Sequence, residues 1–500
     1  MPALRSLIAS VALVNTAAAQ GTPCDKLSSL SLSGTTIALA QPVAAGAFTA
    51  PNPPPIPIPT SYNRMPAFCR VAATISPVAG STIKMEVWLP VQGWNGKFVG
   101  VGNGGFSGEI WYFAMAEPLI RGYAVAGTDT GHEGGQAEAT FGIGQPEKLI
   151  DFGWRAVHEM TVKSKRIAAA YYGRDASHSY WLGCSSGGRQ GLKEAQRFAA
   201  DYDGISAGAP ANNWVPLMAH ATRLQRVLTD PALGFKGPEL VRIKEAAIAA
   251  CDAKDGVTDR VVENPRSCGF DPATLQCGTD NRASCLTPQQ VEAVRSVYAG
   301  VIVGPTVLMP GPTPGGEPLW GAFTPNAFPI GANYFRDLVM KDPTWDIATF
   351  DVARDIPRAM AADVGEFMTT RTDLRDFFAR GGKLMLWHGW TDGMIPAGNT
   401  VEYYERTLAS SGAEAKDGMR LFMLPGVDHC DGGEGPSNFD ALGTIDAWVE
   451  SGQAPERLVV RRPLEGGAER SRPLCAYPQV AWYKGTGSTD NEASFVCRAP

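Results

Sequence analysis

The stretch Ser179-Tyr180-Trp181-Leu182-Gly183-Cys184-Ser185-Ser186-Gly187 runs from a short apolar strand into a Gly-x-Ser-x-Gly turn. Glycines at 183 and 187 let such a turn tighten, which lifts the serine above the sheet. Gly188 to Phe198 reads as a helix and Gly204-Ile205-Ser206-Ala207-Gly208 as the next buried strand, a strand, turn, helix, strand unit. A helix starting just past the turn points its free N–H groups and positive dipole end at the serine, where negative charge develops during acyl transfer. Ser185 is therefore the candidate nucleophile, and the N–H of Ser186 a candidate oxyanion donor.

Upstream, Ile83-Lys84-Met85-Glu86-Val87-Trp88-Leu89 alternates like a half-buried strand. A second strand, Lys97-Phe98-Val99-Gly100-Val101, runs straight into Gly102-Asn103-Gly104-Gly105-Phe106. Where such a turn carries a nucleophile, the second oxyanion donor comes from the loop after an early strand. That selects a backbone N–H of Gly104 or Gly105; an ordinary glycine turn is the competing reading. Tyr123 to Gly127 is a further strand, and about 151 to 171 a helix. This alternation implies a mostly parallel sheet covered on both faces.

From about 212 to 369 the alternation stops. Helical pieces such as Glu239 to Ala250, four cysteines between 251 and 285 and a Pro/Gly-rich stretch from Met309 to Pro318 occupy this region. The pattern resumes at Lys383-Leu384-Met385-Leu386-Trp387 and at Met419-Arg420-Leu421-Phe422-Met423-Leu424. The fold expected is α/β, an α/β-hydrolase with a large inserted lid: catalytic domain at 20–211 and 370–500, lid at 212–369. The 500-residue length accommodates both.

A serine nucleophile needs a base and an orienting acid, in the chain order Ser, Asp or Glu, His, each acid and base following its own later strand. Asp392 follows the strand ending at Trp387, and His429 follows the one ending at Leu424. Of the other five histidines, His158 and His220 fall in helical stretches and His178 precedes the elbow strand. His132 also competes, and His388 reads as a structural residue at a strand end.

A formal charge of −6 without a Lys/Arg block removes nucleic acid as a partner. The N-terminus carries Arg5, an apolar run from Leu7 to Val14 and Ala17-Ala18-Ala19, the form of a signal peptide cleaved after Ala19. That run is too short to span a bilayer as a mature helix, and no later segment approaches the needed length, so no membrane partner is expected. Pro51 to Pro59 reads as an extended surface connector. The expected location is secreted or periplasmic.

Ten cysteines in an exported chain favour disulfides, and the absence of a Cys-x-x-Cys pair weighs against zinc. Cys184 precedes the nucleophile and Cys430 follows the base. A bond between them would clamp the elbow to the histidine loop; separate structural partners are the alternative. In the lid region, Asp252, Asp255 and Asp259 surround Gly256. Hard oxygen ligands so spaced, with the carbonyls of Val257 and Val261, suit Ca²⁺, and a solvated acidic turn is the competing reading.

Together Gly183-Cys184-Ser185-Ser186-Gly187-Gly188-Arg189-Gln190-Gly191, Ala207-Gly208-Ala209-Pro210-Ala211, Trp387-His388-Gly389 with Asp392, and Asp428-His429-Cys430 resemble the tannase and feruloyl esterase family. That family also includes a bacterial hydrolase of mono(2-hydroxyethyl) terephthalate. The resemblance implies a Ser185/Asp392/His429 triad, the disulfide Cys184–Cys430, and the pairs Cys24–Cys69, Cys251–Cys268, Cys277–Cys285 and Cys475–Cys497. It also implies a structural Ca²⁺ in the lid at Asp252, Asp255, Val257, Asp259 and Val261, with no organic cofactor.

The family cleaves esters of phenolic or aromatic acids, so the expected partner is a small aromatic ester of hydroxycinnamate type, released from a plant polymer or a polyester. Gallate esters, a terephthalate monoester, or an inactive binding protein on the same scaffold are the alternatives. Trp214, Trp320, Phe323, Phe328, Tyr334 and Phe335 in the lid could pack a planar acyl group, and Ile395 lies in a stretch that borders the acyl pocket in relatives.

Overall fold

Strand periodicity in the sequence becomes a two-faced sheet. In the computed structural model, which describes residues 21–52, 61–278, 285–363 and 365–500, nine strands form one sheet. The expected signal peptide and most of the proline run lie outside these residues. The first seven strands are β1 (Thr35–Val43), β2 (Phe68–Ile75), β3 (Ile83–Pro90), β4 (Lys97–Val101), β5 (Ala124–Thr128), β6 (His178–Cys184) and β7 (Gly204–Gly208), followed by Lys383–Gly389 and Met419–Leu424. Their spatial order is β1-β2-β3-β5-β4-β6-β7, then 383–389 and 419–424. The six strands from β5 to the far edge are parallel, while β1, β2 and β3 pair antiparallel with their neighbours and extend the other edge. β1 and β2 lie in a region where no strand was expected.

Alternate side chains leave each strand on opposite faces. Phe98, Ala124, Leu384 and Leu421 enter a core shared with the helices Ala156–Tyr172, Ser186–Arg197 and Gly398–Ser410. Val99, Val125, Met385 and Phe422 enter the opposite core, against Tyr112–Ile120 and Ala441–Ser451. The helix expected from 151 begins with a π-helical turn, Asp151–Arg155, before Ala156–Tyr172 continues as α-helix. This is an α/β-hydrolase fold.

Between β7 and the strand 383–389, the described residues add no strand to the main sheet. They form helices, including Trp214–Thr229, Gly237–Cys251, Pro288–Tyr298 and Val352–Ala361, and the short antiparallel pair Val301–Val303 and Thr306–Met309. Their apolar side chains make a third core that also takes in Phe106, Phe152 and Ile395. Two further antiparallel pairs, Arg457–Pro463 with Glu469–Cys475 and Val480–Tyr483 with Phe495–Arg498, complete the C-terminal part.

All ten cysteines are paired, in the five combinations the resemblance implied. Among the described residues, no helix is long and apolar enough to cross a membrane.

Candidate active site

Parallel pairing puts the ends of β4, β6, β7, 383–389 and 419–424 along one edge. Val101 pairs with Leu182, Cys184 with Gly208, Trp387 with Gly208, and Gly389 with Leu424. The loops that follow carry Gly104 and Gly105, Ser185, Asp392 and His429. Residues up to 325 positions apart in sequence thus meet because their strands are neighbours, as open α/β sheets generally arrange.

Ser185 sits at φ 62° and ψ −123° immediately before the helix Ser186–Arg197. A non-glycine residue in that region is strained and needs its surroundings to hold it. They do: Ser185 N–H donates to the Gly208 carbonyl at 3.0 Å, and the Ser185 carbonyl accepts from Arg189 and Ala211 at 3.0 and 3.1 Å. The turn also has no room for side chains. A Cβ on Gly183 would lie 2.4 Å from the carbonyl of Gly187, and one on Gly188 2.3 Å from that of Gly208.

His429 Nδ1 lies 2.6 Å from Asp392 Oδ2. The other carboxylate oxygen accepts the amides of Met394 at 2.9 Å and Ile395 at 2.8 Å. The two loops are tied by Trp390 N–H to Leu424 O and Thr391 N–H to Val427 O, and Thr391 Oγ1 donates to Asp428 at 2.9 Å. Behind His429, Cys430 is bonded to Cys184 with the Cα atoms 6.2 Å apart.

Burial opposes ionisation of Asp392, yet the charge of His429 and the hydrogen bonds of His388 and His429 outweigh it and hold the carboxyl well below the usual range. Burial likewise disfavours the His429 cation, but the Asp392 charge and hydrogen bond raise its pKa above the ordinary 6.5.

Ser185, Ser186, Gly105 and His429 line one cavity of about 30 Å³ together with Ala211, Trp214, Leu217, Met218, Ala221, Phe323, Phe328, Ile330, Met394 and Ile395. No hydrogen bond joins Ser185 Oγ to His429 among the described residues; such bonds are often long before substrate is bound. The amides of Ser186, Gly104 and Gly105 have no protein acceptor among the described residues. Ser186 Oγ donates to the Gly105 carbonyl at 2.8 Å, holding the two loops in register. Gly104 does not line the cavity; a Cβ there would strike Trp111.

Of the substrate-binding candidates, Trp214, Phe328 and Ile395 line the cavity and Trp320 does not. Trp320 is 1% exposed and packs edge-on against Tyr298 at 5.6 Å. Tyr334 and Phe335 also lie outside the lining, within the third core. Leu217, Met218 and Ala221 are additions. They stand three, four and seven residues after Trp214, one face of the helix Trp214–Thr229, a spacing legible in the sequence.

The carboxylates named for calcium lie on one turn. Asp252 accepts the amides of Asp259 at 3.3 Å and Arg260 at 3.0 Å, Asp255 that of Val257 at 2.9 Å, and Asp259 that of Val261 at 3.2 Å and the Arg472 guanidinium. Burial pushes the Asp255 carboxyl up to about 6, with Asp259 and Asp252 adding to it. All-oxygen donors with crowded negative charge fit Ca²⁺ in chemistry. Their oxygens are not drawn together as closely as the ligand atoms of His158, Glu194 and Asp201, a ring nitrogen and two carboxylate oxygens, which lie within 4.8 Å of one another.

The model of the family described as tannase and feruloyl esterase matches residues 69–319 and 320–498. The chain belongs to the tannase and feruloyl esterase family. An uncharacterized esterase of Xanthomonas campestris pv. campestris is 36% identical over 99% of this chain and 94% of its own length. The mono(2-hydroxyethyl) terephthalate hydrolase of Piscinibacter sakaiensis is 32% identical over 89% of this chain and 87% of its own. The crystal structure of feruloyl esterase B from Aspergillus oryzae matches with a TM-score of 0.86 at 30% identity, covering 95% of this chain and 99% of that one. This family member is a carboxylic-ester hydrolase.

Proposed function

We propose that this esterase cleaves aromatic esters of hydroxycinnamate type through an acyl-enzyme on Ser185. The observation that carries the reading is His429, held 2.6 Å from Asp392 and lining one apolar cavity with Ser185. His429 takes the Ser185 proton as the hydroxyl attacks the ester carbonyl, and Asp392 orients the ring and stabilises the imidazolium. The amides of Ser186 and Gly105 hold the oxyanion, with Gly104 the adjacent candidate. His429 then protonates the leaving alcohol, and water releases the acid by the same route.

The lining of the cavity suits a neutral ring, and its volume of about 30 Å³ has to widen to admit one. Trp214, Phe323, Phe328 and Ile395 line it, and among the described residues no titratable side chain beyond His429 does. The free carboxylate of a terephthalate monoester would lose its hydration there without a partner, a cost of several kcal/mol. This favours a feruloyl-type acid over terephthalate, although relatives with both names match.

We further propose that residues 212–369 act as a lid over this cavity and that the Asp252/Asp255/Asp259 turn, with the Val257 and Val261 carbonyls, holds a structural Ca²⁺. Its proposed role is to fix the lid; the reaction needs nothing from it. Five disulfides and the N-terminal sequence support export to an oxidising compartment.

The deciding experiment is labelling by a fluorophosphonate probe beside a panel of methyl ferulate, methyl gallate and a terephthalate monoester. The expected result is probe on Ser185 and the highest kcat/KM with methyl ferulate. An unlabelled Ser185 in folded, active protein would overturn the mechanism.

A further inference from the structure

The helix that starts at the nucleophile turn ends in a buried cluster unrelated to the triad. Glu194, two turns along Ser186–Arg197, is 1% exposed; no N–H or hydroxyl donor reaches either carboxylate oxygen, and the group it meets is the Asp201 carboxyl. Asp201, in the connection to β7, and His158, on Ala156–Tyr172, complete the group, with His158 Nδ1 2.6 Å from Asp201 Oδ2. One ligand atom from each of the three lies within 4.8 Å of the others. Lys165 is the neighbouring cation, but its ammonium donates to the Asp201 backbone carbonyl. Two carboxylates so placed, one of them reached by no such donor in the interior, are strongly unfavourable unless they share a proton or a cation.

We propose that His158, Glu194 and Asp201 form a second cation site, one for a borderline divalent metal of the zinc class. The donor types decide the class: an imidazole nitrogen with two carboxylates suits zinc better than calcium, which takes six to eight oxygens. The geometry is within reach. Ligands at about 2.0–2.2 Å from a tetrahedral zinc stand about 3.3–3.6 Å apart, so the His158–Asp201 contact of 2.6 Å has to open by about 0.7–1 Å, and Glu194 has to close in. The His158 ring is positioned by stacking on Phe198 at 3.8 Å, and its side chain is 27% exposed, which leaves an entry path and room for a fourth, solvent ligand. A metal here would join the helix Ser186–Arg197 to the helix Ala156–Tyr172 and to the loop entering β7. It would brace from below the element whose first amide faces the substrate cavity.

The test uses the full chain, stripped with EDTA and returned to calcium buffer so that an oxygen-rich site elsewhere stays filled. Zinc chloride is titrated by calorimetry, bound metal is counted, and thermal unfolding is followed with and without zinc. Two variants accompany the wild type: Glu194→Gln, which keeps the shape and removes the charge, and His158→Phe, which keeps the stack on Phe198. The expected result is one zinc per wild-type chain above the count in either variant, binding at least about tenfold weaker in each variant, and a zinc-dependent rise in Tm confined to the wild type. Equal zinc uptake by wild type and variants would overturn the proposal. So would no uptake by the wild type, particularly with Glu194→Gln melting higher than the wild type in metal-free buffer, since the carboxylates would then be sharing only a proton.

Discussion

His388 Nε2 lies 3.1 Å from Asp392 Oδ2, the oxygen that faces His429 Nδ1. The other ring nitrogen of His388, Nδ1, is 2.7 Å from the Thr400 hydroxyl, and Nε2 is also 3.0 Å from the Ile395 carbonyl. With only acceptors facing Nε2, the proton belongs there and Thr400 donates to Nδ1. His388 therefore fixes the Asp392 carboxylate at the same oxygen that His429 contacts. Replacing it with Ala is expected to lower kcat by up to about 100-fold with little change in KM. His388→Gln, which keeps a donor, should recover part of the loss, and steady-state kinetics of the three proteins checks this.

Removal of the nucleophile should be nearly complete in effect. Ser185→Ala is expected to reduce kcat on methyl ferulate by at least about 10⁴-fold without lowering Tm, because the strained φ of 62° is relieved no further by Ala than by Ser. Retained turnover in the folded variant would contradict the mechanism.

The pH dependence has a definite sign. His429 works as a base only when neutral, and its pKa stands above 6.5 despite burial because Asp392 favours the cation. The logarithm of kcat/KM should thus fall as pH drops through a value above 6.5. In Asp392→Asn that limb should move to lower pH, and kcat should fall by about 10⁴-fold. A pH–rate profile of each protein measures both.

The bond between Cys184 and Cys430 closes a separation of 246 residues and fixes the elbow to the base. The double variant Cys184→Ser/Cys430→Ser is expected to lose about 2–5 kcal/mol of stability, read as a lower denaturant midpoint. It should also lose kcat at temperatures where it remains folded.

Calcium removal should act on stability before chemistry. The acidic turn reaches the base loop through Arg260, whose guanidinium lies 3.1 Å from Glu434, and Lys244 of the helix Gly237–Cys251 meets the same carboxylate at 3.0 Å. After EDTA treatment, added Ca²⁺ is expected to raise Tm in the wild type and not in Asp255→Asn. A Tm indifferent to EDTA and Ca²⁺ in the wild type would remove the calcium assignment.

The linear sequence determined those features that local chemistry writes down. A Gly-x-Ser-x-Gly turn between an apolar strand and a helix leaves few conformations. Strand-end loops after Trp387 and Leu424 place an acid and a base wherever those strands pair. The pairing of the cysteines followed from family motifs, not from spacing. Tertiary structure decided what depends on side chains from distant segments choosing neighbours. His388 read as a strand-end residue because nothing local reports that Asp392 turns back toward it. Trp320 read as a substrate contact because a lid aromatic has the same composition whether it faces a cleft or Tyr298. Trp214, Leu217, Met218 and Ala221 formed a visible helical stripe, but only the docked helix says that the stripe faces Ser185 and not an ordinary core. The cluster of His158, Glu194 and Asp201 had no linear signature, since its members come from two helices and a loop whose approach is set by sheet packing. Periodicity fixes which face of an element is buried; what that face meets is settled by the packing of the whole chain.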